Sequence, residues 1–264
     1  MTAAGDGAAL PRLQHDRQHA IYMLALSEGS VDVSDLAHRY AVSTETIRRD
    51  LSDMQERNML RRVHGGAVPV ERINHEPLLA ARDVVNAEEK LRIATKAVEE
   101  LPESGSVIID SGSTTQRLAE VFPVERDLHV VTNSLMTALT LSRRGLRKLT
   151  VLGGAVRTNR HAMVDETTRA ELQPMAFDVL FFSCDGLSFQ HGLTTPYREE
   201  HMIKRAMLER SRRVVALVDQ SKLHNVQMFS FAAFDEIDVL VTDSRVDPDD
   251  AEILESHGMS VLVA

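Results

Sequence analysis

Residues 107–115 read VIIDSGSTT. Three β-branched apolar residues suit a strand buried on both faces, and the Asp, Gly and hydroxyl residues after them suit a turn. Helical spacing then runs from Gln116 to Val121. Strand, turn and helix in that order form the unit of a parallel sheet covered on both faces. The theme recurs downstream. Leu128 to Thr132 precedes a helix through Leu141, Leu149 to Leu152 precedes Gly153 and Gly154, and Val179 to Ser183 precedes Asp185 and Gly186. A helix from Glu199 to Ser211, strands at Val214 to Val218 and Val239 to Thr242, a helix near Ala251 to Ser256 and a strand at Val261 to Val263 complete the run. Upstream, Glu88 to Leu101 reads as a helix stopped by Pro102. The expected fold class is α/β with a mostly parallel sheet, without fixed-period repeats or low-complexity tracts.

The pattern differs before this region. From Arg17 the apolar period is helical, with Ile21, Leu24 and Ala25 on one face and Gly29 as the stop. Val33 to Tyr40 reads as a short second helix with Leu36 and Ala37 inward. Ser43 is placed to cap a third helix, which runs to about Asn58 with Ile47, Leu51 and Met54 on its buried face. Leu60 to Val68 reads as a hairpin around Gly65 and Gly66, both glycines supplying positive φ. Pro69 and Pro77 bracket a mostly polar stretch. The expected division is a helix-turn-helix domain at 12–70, a linker at 71–85 and an α/β domain at 86–264.

The chain has 264 residues, 43% hydrophobic and 26% charged, the balance of a globular protein rather than a disordered one. No apolar run suffices to span a membrane, and Met1 to Gly7 lacks the features of a secretory signal. One cysteine, Cys184, rules out an internal disulfide framework and fits a reducing cytoplasm. With no Trp and 4% aromatic residues, a stacking platform for single strands is not expected. The net charge of −9 is uneven. Residues 1–75 carry nine Arg, no Lys and ten acids, a balance of −1, so the remaining −8 lies beyond them. Any face for duplex DNA must therefore be a local cluster.

A short helix, a tight turn and a longer helix make a helix-turn-helix, whose second helix enters the major groove. Its first turns here carry Ser43, Thr44, Glu45, Thr46, Arg48 and Arg49. On a helical wheel Arg49 and Glu45 lie opposite Ile47, Leu51 and Met54, with Arg48 and Thr46 flanking them. Arginine can pair with guanine through two hydrogen bonds or clamp a phosphate. Arg61, Arg62 and His64 make the hairpin a basic wing. The segments Val42-Ser43, Thr46-Ile47-Arg48-Arg49-Asp50-Leu51 and Leu60-Arg61-Arg62-Val63-His64-Gly65-Gly66-Ala67 resemble the DNA-binding signature of the DeoR family of bacterial transcriptional regulators. The resemblance extends through the rest of the chain. It implies a winged helix-turn-helix and a sensor domain, in a repressor or activator of sugar-metabolism genes, with repressor the preferred reading, that responds to a phosphorylated sugar or related metabolite. Because such proteins read two half-sites of a double-stranded DNA operator, a homodimer or homotetramer is expected, in the cytoplasm that the single cysteine also fits.

In an open parallel sheet, ligands bind beyond the carboxyl ends of the strands. Asp110, Gly112, Ser113, Thr114 and Thr115 fall there, at a helix start suited to an anion. Asn133 and Ser134 follow the next strand; Gly153 and Gly154, with Arg157 beyond, the third; Asp185 and Gly186 the fourth. Asp219 and Lys222 follow a later strand, and Lys204 stands on the helix before it. A Ser/Thr turn is also an ordinary helix cap, and the glycine pairs are also ordinary turns. The family's sensor domain resembles the sugar-phosphate isomerase and glucosamine-phosphate deaminase fold. That resemblance assigns the phosphate to the Ser/Thr loop and a sugar-facing or organising role to Asp185, Asp219 and Lys222, with a looser match at Arg157 and Lys204. The rival reading is an active sugar-phosphate isomerase or deaminase-like enzyme carrying a DNA-binding module, with Asp185, Glu199 or Glu200 as its nominal base. Leu187 to Arg198, however, lacks the Lys-bearing Gly-rich segment of those enzymes. No nucleotide-binding glycine motif or metal-ligand spacing occurs, so neither cofactor nor metal is expected.

Overall fold

The computed structural model describes residues 17–18, 20–22, 24–25, 29–56, 59–63, 65–69, 82–83 and 85–264. His64, residues 1–16 and most of the expected linker lie outside these. The chain forms two compact units, Met1–Arg72 and Ile73–Ala264.

In the smaller unit, strand β1 (Val31–Asp32) leads into α1 (Val33–Arg39), capped by the Asp32 carboxylate, which accepts from the Ser34 and Asp35 amides. Helix α2 (Thr44–Glu56) follows, and the Ser43 hydroxyl accepts from the Thr46 amide at 3.1 Å. Strands β2 (Leu60–Val63) and β3 (Gly66–Pro69) form the expected hairpin, in register Val63 to Gly66. Strand β1, which has no distinctive sequence pattern, pairs with β3 and widens the wing to three strands. Ile21, Leu36, Ile47, Leu51, Met54, Leu60 and Ala67 close one apolar core.

The glycine pair differs from expectation. Only Gly65 has positive φ, at 83°. Gly66 is a strand residue, and a Cβ there would lie 1.9 Å from the Val31 carbonyl oxygen. Gly65 makes the turn, whereas Gly66 permits the close approach of β1.

In the larger unit, α3 (Ala87–Ala97) precedes β4 (Ser104–Ile109), α4 (Ser113–Val121), β5 (Asp127–Thr132), α5 (Leu135–Arg143) and β6 (Leu149–Val151). The short strands β7 (Val156–Arg157) and β8 (Ala162–Met163) lead to α6 (Glu166–Leu172) and β9 (Phe177–Phe182). Then come β10 (Gly186–Ser188), β11 (Gly192–Thr195), α7 (Arg198–Leu208), β12 (Ser211–Leu217) and β13 (Phe229–Ala232). The unit ends with β14 (Val239–Thr242), α8 (Pro248–Ser256) and β15 (Ser260–Val263).

Seven strands form one parallel sheet in the order β15-β14-β12-β9-β4-β5-β6. Successive strand residues face opposite sides. Val107, Ile109, Val179, Phe181, Val215 and Leu217 join the core that contains Ile93 and Leu118. Ile108, Leu180, Phe182, Val214 and Ala216 join the opposite core with Ile203, Met207 and Leu254. This two-sided burial is why the strands are apolar throughout. The stretch after Asp185 contributes an antiparallel sheet, β10-β11-β13, that strand-helix alternation did not reveal. From β4 the chain builds outward through β5 and β6, then returns to the other side of β4 with β9. The strand order therefore reverses between β4 and β9, where an open sheet leaves a crevice at its carboxyl edge.

Candidate functional site

Helix α2 presents Ser43, Thr44, Glu45, Arg48 and Arg49 to solvent and buries Ile47, Leu51 and Met54. Ser43 and Thr46 are occupied in the cap, their hydroxyls 2.8 Å apart. Asp50 would repel DNA if exposed, but it is buried and its carboxylate takes Arg17 Nε at 2.6 Å and Gln18 Nε2 at 3.3 Å. This ion pair anchors the helical segment about Ile21 to α2. Arg61 and Arg62 are exposed on the wing. The Arg62 amide donates to Gln55 Oε1 at 2.9 Å and its guanidinium to Ser52 Oγ at 3.1 Å, which fixes the wing against α2. Four exposed guanidiniums, Arg48, Arg49, Arg61 and Arg62, thus share a small unit in which Asp50 is neutralised by Arg17, while exposed Glu45 lies 3.8 Å from Arg48.

At the β4–β9 switch point, Gly112 precedes α4, and no side chain caps this helix start. The amides of Ser113, Thr114 and Thr115 find no acceptor among the described residues, and their side chains are buried. A helix start with open amides attracts negative charge. Lys204 lies behind it, 6% exposed, with Nζ donating to the Asp110 carboxylate and, at 2.8 Å, to the Ser183 carbonyl. Burial works against the Lys204 charge, but the carboxylates of Asp110, Glu200 and Asp185 outweigh it and hold the ammonium above its usual range. Asn133 accepts the Ser111 amide at 3.0 Å and so positions the turn before α4. Ser134 acts as the cap of α5, accepting from Thr137.

Asp185 lies at the centre of a buried ionic group. Arg82 Nη2 and Arg160 Nη2 each reach Asp185 Oδ1 at 3.1 Å, and Thr195 Oγ1 donates to its other oxygen at 3.1 Å. Glu200 takes Arg157 at 3.1 Å and Arg160 at 3.3 Å, and Arg157 also stacks over Tyr197. Burial tends to raise the Asp185 carboxyl, but Arg160, Lys204 and Lys222 outweigh it and keep it below the usual range. For Glu200, burial prevails and raises it. Gly186 is packed too tightly against Asn225 and Thr194 to admit a side chain.

Asp219 accepts from Asn86 Nδ2 at 2.9 Å and from the Ser221 amide at 3.2 Å. Lys222 forms no hydrogen bond through its ammonium among the described residues, yet its charge lowers both Asp185 and Asp219. Gly153 and Gly154 lie elsewhere, after edge strand β6. There the Gly153 amide donates to Glu171 Oε2 at 2.7 Å, and Asp165 fills the space beside Gly154. Carboxylates at both glycines make that turn a poor place for an anion.

Sequence reading assigned no site role to Arg82, Asn86, Lys90 and Arg160, and weighed Glu200 only as a nominal base of the rival enzyme. Two of them had a signal. Lys90, Ile93, Ala94 and Ala97 form one buried stripe of α3, and Glu200, Ile203, Lys204 and Met207 one of α7. A charge on an apolar stripe requires a partner. Lys90 is buried and its ammonium donates to the Arg82 and Val85 carbonyls. Burial pushes it down to about 8. An unfolded lysine keeps its proton to roughly pH 10.4, so between these values the unfolded chain binds more protons and stability from this group rises with pH. Urea melts at pH 7.5 and 9.5 should show that gain in the wild type and not in Lys90→Met. An equal change in both would assign it to other groups.

Among the described residues no cluster of His, Cys, Asp and Glu is arranged to hold a metal ion, and no helix is long and apolar enough to cross a membrane. A winged helix-turn-helix on the same chain as a parallel α/β unit with an ionic crevice defines a transcriptional regulator of the helix-turn-helix class. A family model described as the DeoR-like helix-turn-helix domain matches residues 17–72, and one described as the DeoR C terminal sensor domain matches residues 85–244. The chain belongs to the DeoR family of transcriptional regulators. The HTH-type transcriptional regulator GlpR of Haloferax volcanii is 35% identical over 95% of this chain and 98% of its own. The glycerol-3-phosphate regulon repressor of Escherichia coli (strain K12) is 30% identical over 92% of this chain and 96% of its own. Ribose 5-phosphate isomerase A of Methanocaldococcus jannaschii covers 52% of this chain with 55% of its own, at 17% identity and a TM-score of 0.39, a likeness that bears on neither substrate nor activity.

Proposed function

We propose that this regulator is a repressor of sugar-metabolism genes, released from or held on its operator by a phosphorylated sugar bound in the larger unit. Helix α2 reads the major groove through Arg48 and Arg49, while Thr44, Arg61, Arg62 and His64 contact the backbone. The phosphate sits at the start of α4, on the Ser113 to Thr115 amides, with Lys222 as counter-charge and Asp185 and Asp219 facing the sugar hydroxyls. The observation that carries this reading is the open helix-start amides at the sheet's switch point, together with Lys222, whose charge acts on Asp185 and Asp219 and whose ammonium has no hydrogen-bonding partner among the described residues. An effector that shifts operator affinity must bind the two states differently, typically by about 1–3 kcal/mol. Fluorescence anisotropy with the protein's own promoter, with and without a panel of sugar phosphates, tests the whole reading. Identical isotherms with every ester would reject effector control.

The two arginine roles are separable. Arg49→Ala should cost about 1–3 kcal/mol and relax base preference at one position, as a lost two-bond guanine contact does. Arg62→Ala should weaken all sequences alike and flatten the salt dependence by about one phosphate's share. Binding to a set of single-base operator variants at two salt concentrations separates these outcomes.

One observation favours the isomerase alternative: Glu200 is a buried carboxyl raised above its usual range, the profile of a general acid or base. Its oxygens are nonetheless taken by Arg157, Arg160 and Thr195, which leaves no approach to a substrate carbon. Incubation with ribose 5-phosphate should give no turnover above background.

A further inference from the structure

After the DNA-binding unit, residues 82, 83, 85 and 86 are the first described residues of the larger unit, and this short stretch is fastened at several points along the carboxyl edge of the sheet. Arg82 holds Asp185 at the end of β9, and Asn86 holds Asp219 at the end of neighbouring β12. Between these anchors, the Asp83 carbonyl accepts from Arg117 Nη2 on α4 at 3.1 Å. Lys90 grips the Arg82 and Val85 carbonyls from α3. Residues 82–86 are therefore fastened to the two carboxylates and the helix that frame the ligand crevice, a more elaborate attachment than a passive tether requires.

Arg82 itself is only 8% exposed. Its Nη2 serves Asp185, but Nη1 is buried with no hydrogen-bond partner among the described residues. A buried guanidinium N–H without an acceptor is costly, and evolved sites tolerate such a group where a ligand completes it. Asp185 is already served by Arg160 and Thr195, so Arg82 is not needed to neutralise it. Arg117 carries another buried N–H, its Nε one turn into α4, that has no partner among the described residues.

We infer that Arg82 is an effector-contacting residue: its free Nη1 donates to the anionic group of the ligand, so the bound effector is held in part by the chain that leads to the DNA-binding unit. This rests on the reading of the crevice as an anionic-ligand site. It adds a physical route from that site to the operator-binding half, because a ligand that engages Arg82 alters the fastening of residues 82–86 directly. The route runs along the covalent chain and needs no surface shared by the two units.

The test uses full-length protein as wild type, Arg82→Gln, Arg82→Lys and Lys222→Gln. Calorimetric titrations employ inorganic phosphate, ribose 5-phosphate, fructose 1-phosphate, fructose 1,6-bisphosphate and glycerol 3-phosphate. For whichever binds the wild type, Arg82→Gln should weaken affinity by about 10- to 100-fold, the range for a lost hydrogen bond to a charged group. Arg82→Lys retains the charge but not the planar pair of donors, and it should lose part of this. Hydrogen exchange on the wild type should show ligand-dependent protection of peptides covering residues 82–90. This readout holds even where Arg82→Gln fails to fold. Wild-type affinity in both Arg82 variants together with loss in Lys222→Gln would overturn the Arg82 inference while leaving the crevice as the ligand site. Absence of ligand-dependent protection at 82–90 on a protein that does bind would also overturn it. If none of the five compounds binds the wild type, the sensor reading falls and this inference falls with it.

Discussion

Replacing Lys204 with methionine is expected to destabilise the larger unit by about 3–5 kcal/mol, the usual result of removing one member of a buried ion pair. The loss comes less from the Lys204–Asp110 attraction than from what remains afterwards. Asp110 is 1% exposed, and the Ser183 carbonyl would lose its donor at the same time. An isolated carboxylate in that position must shed its charge or draw in water. The linkage has a definite sign. Lys204 is held above its ordinary range, so its contribution is complete below the unfolded lysine value, about pH 10.4, and disappears only as pH rises through the folded one. Urea unfolding at pH 7, followed by circular dichroism, should show the full loss. Asp110→Asn in the Lys204→Met background should restore a substantial part, since it removes the stranded charge. A single-variant loss below about 1 kcal/mol, within the range of an exposed pair, would show that the two groups are hydrated.

Gly66→Val should abolish sequence-specific operator binding while leaving the larger unit folded. A Cβ at Gly66 would lie 1.9 Å from the Val31 carbonyl oxygen and 3.2 Å from the Asp32 Cα. Both neighbours are backbone, so no side chain can turn aside. Strand β1 must leave β3, and with it goes the bond from the Val33 amide to the Gly65 carbonyl, 2.9 Å. Loss of the wing should weaken operator affinity by about 100-fold or more, at about 1.4 kcal/mol per tenfold. Gly65→Ala is the informative control. Its positive φ of 83° penalises a side chain by about 1 kcal/mol, but the nearest atom to its Cβ is Asp32 Oδ2 at 3.5 Å, so the sheet survives. Equal losses in the two variants would place the cause in turn conformation rather than strand approach.

These two residues mark where a linear reading stops. Gly66 was legible as part of a hairpin, because a glycine pair between apolar segments marks a turn. Its actual constraint comes from β1, paired with it at Asp32, 34 residues earlier in the chain, and that strand has no periodicity of its own. Lys204 was legible as a charge near the site, though the ordinary expectation for a helical lysine is solvation. The stripe it shares with Glu200, Ile203 and Met207 carried the warning. The Ser113 to Thr115 loop was read as either cap or anion cradle. The extended Gly112 at the N-cap, without a side-chain bond, shows that no hydroxyl performs the capping.

What the linear order of residues determined by itself was everything governed by local periodicity and short spacing. Apolar runs after turns define the parallel strands, Ile47, Leu51 and Met54 define the buried face of α2, and Ser43 defines its start. The tertiary structure alone decided which distant side chains meet. Asp50 is silenced by Arg17, Asp185 gathers Arg82 and Arg160, and Asn86 reaches Asp219 across the crevice. Hydrophobic patterning repeats within a turn or a strand and is visible to the eye. Pairing between buried charges depends on strand order, and strand order is set only when the whole sheet closes.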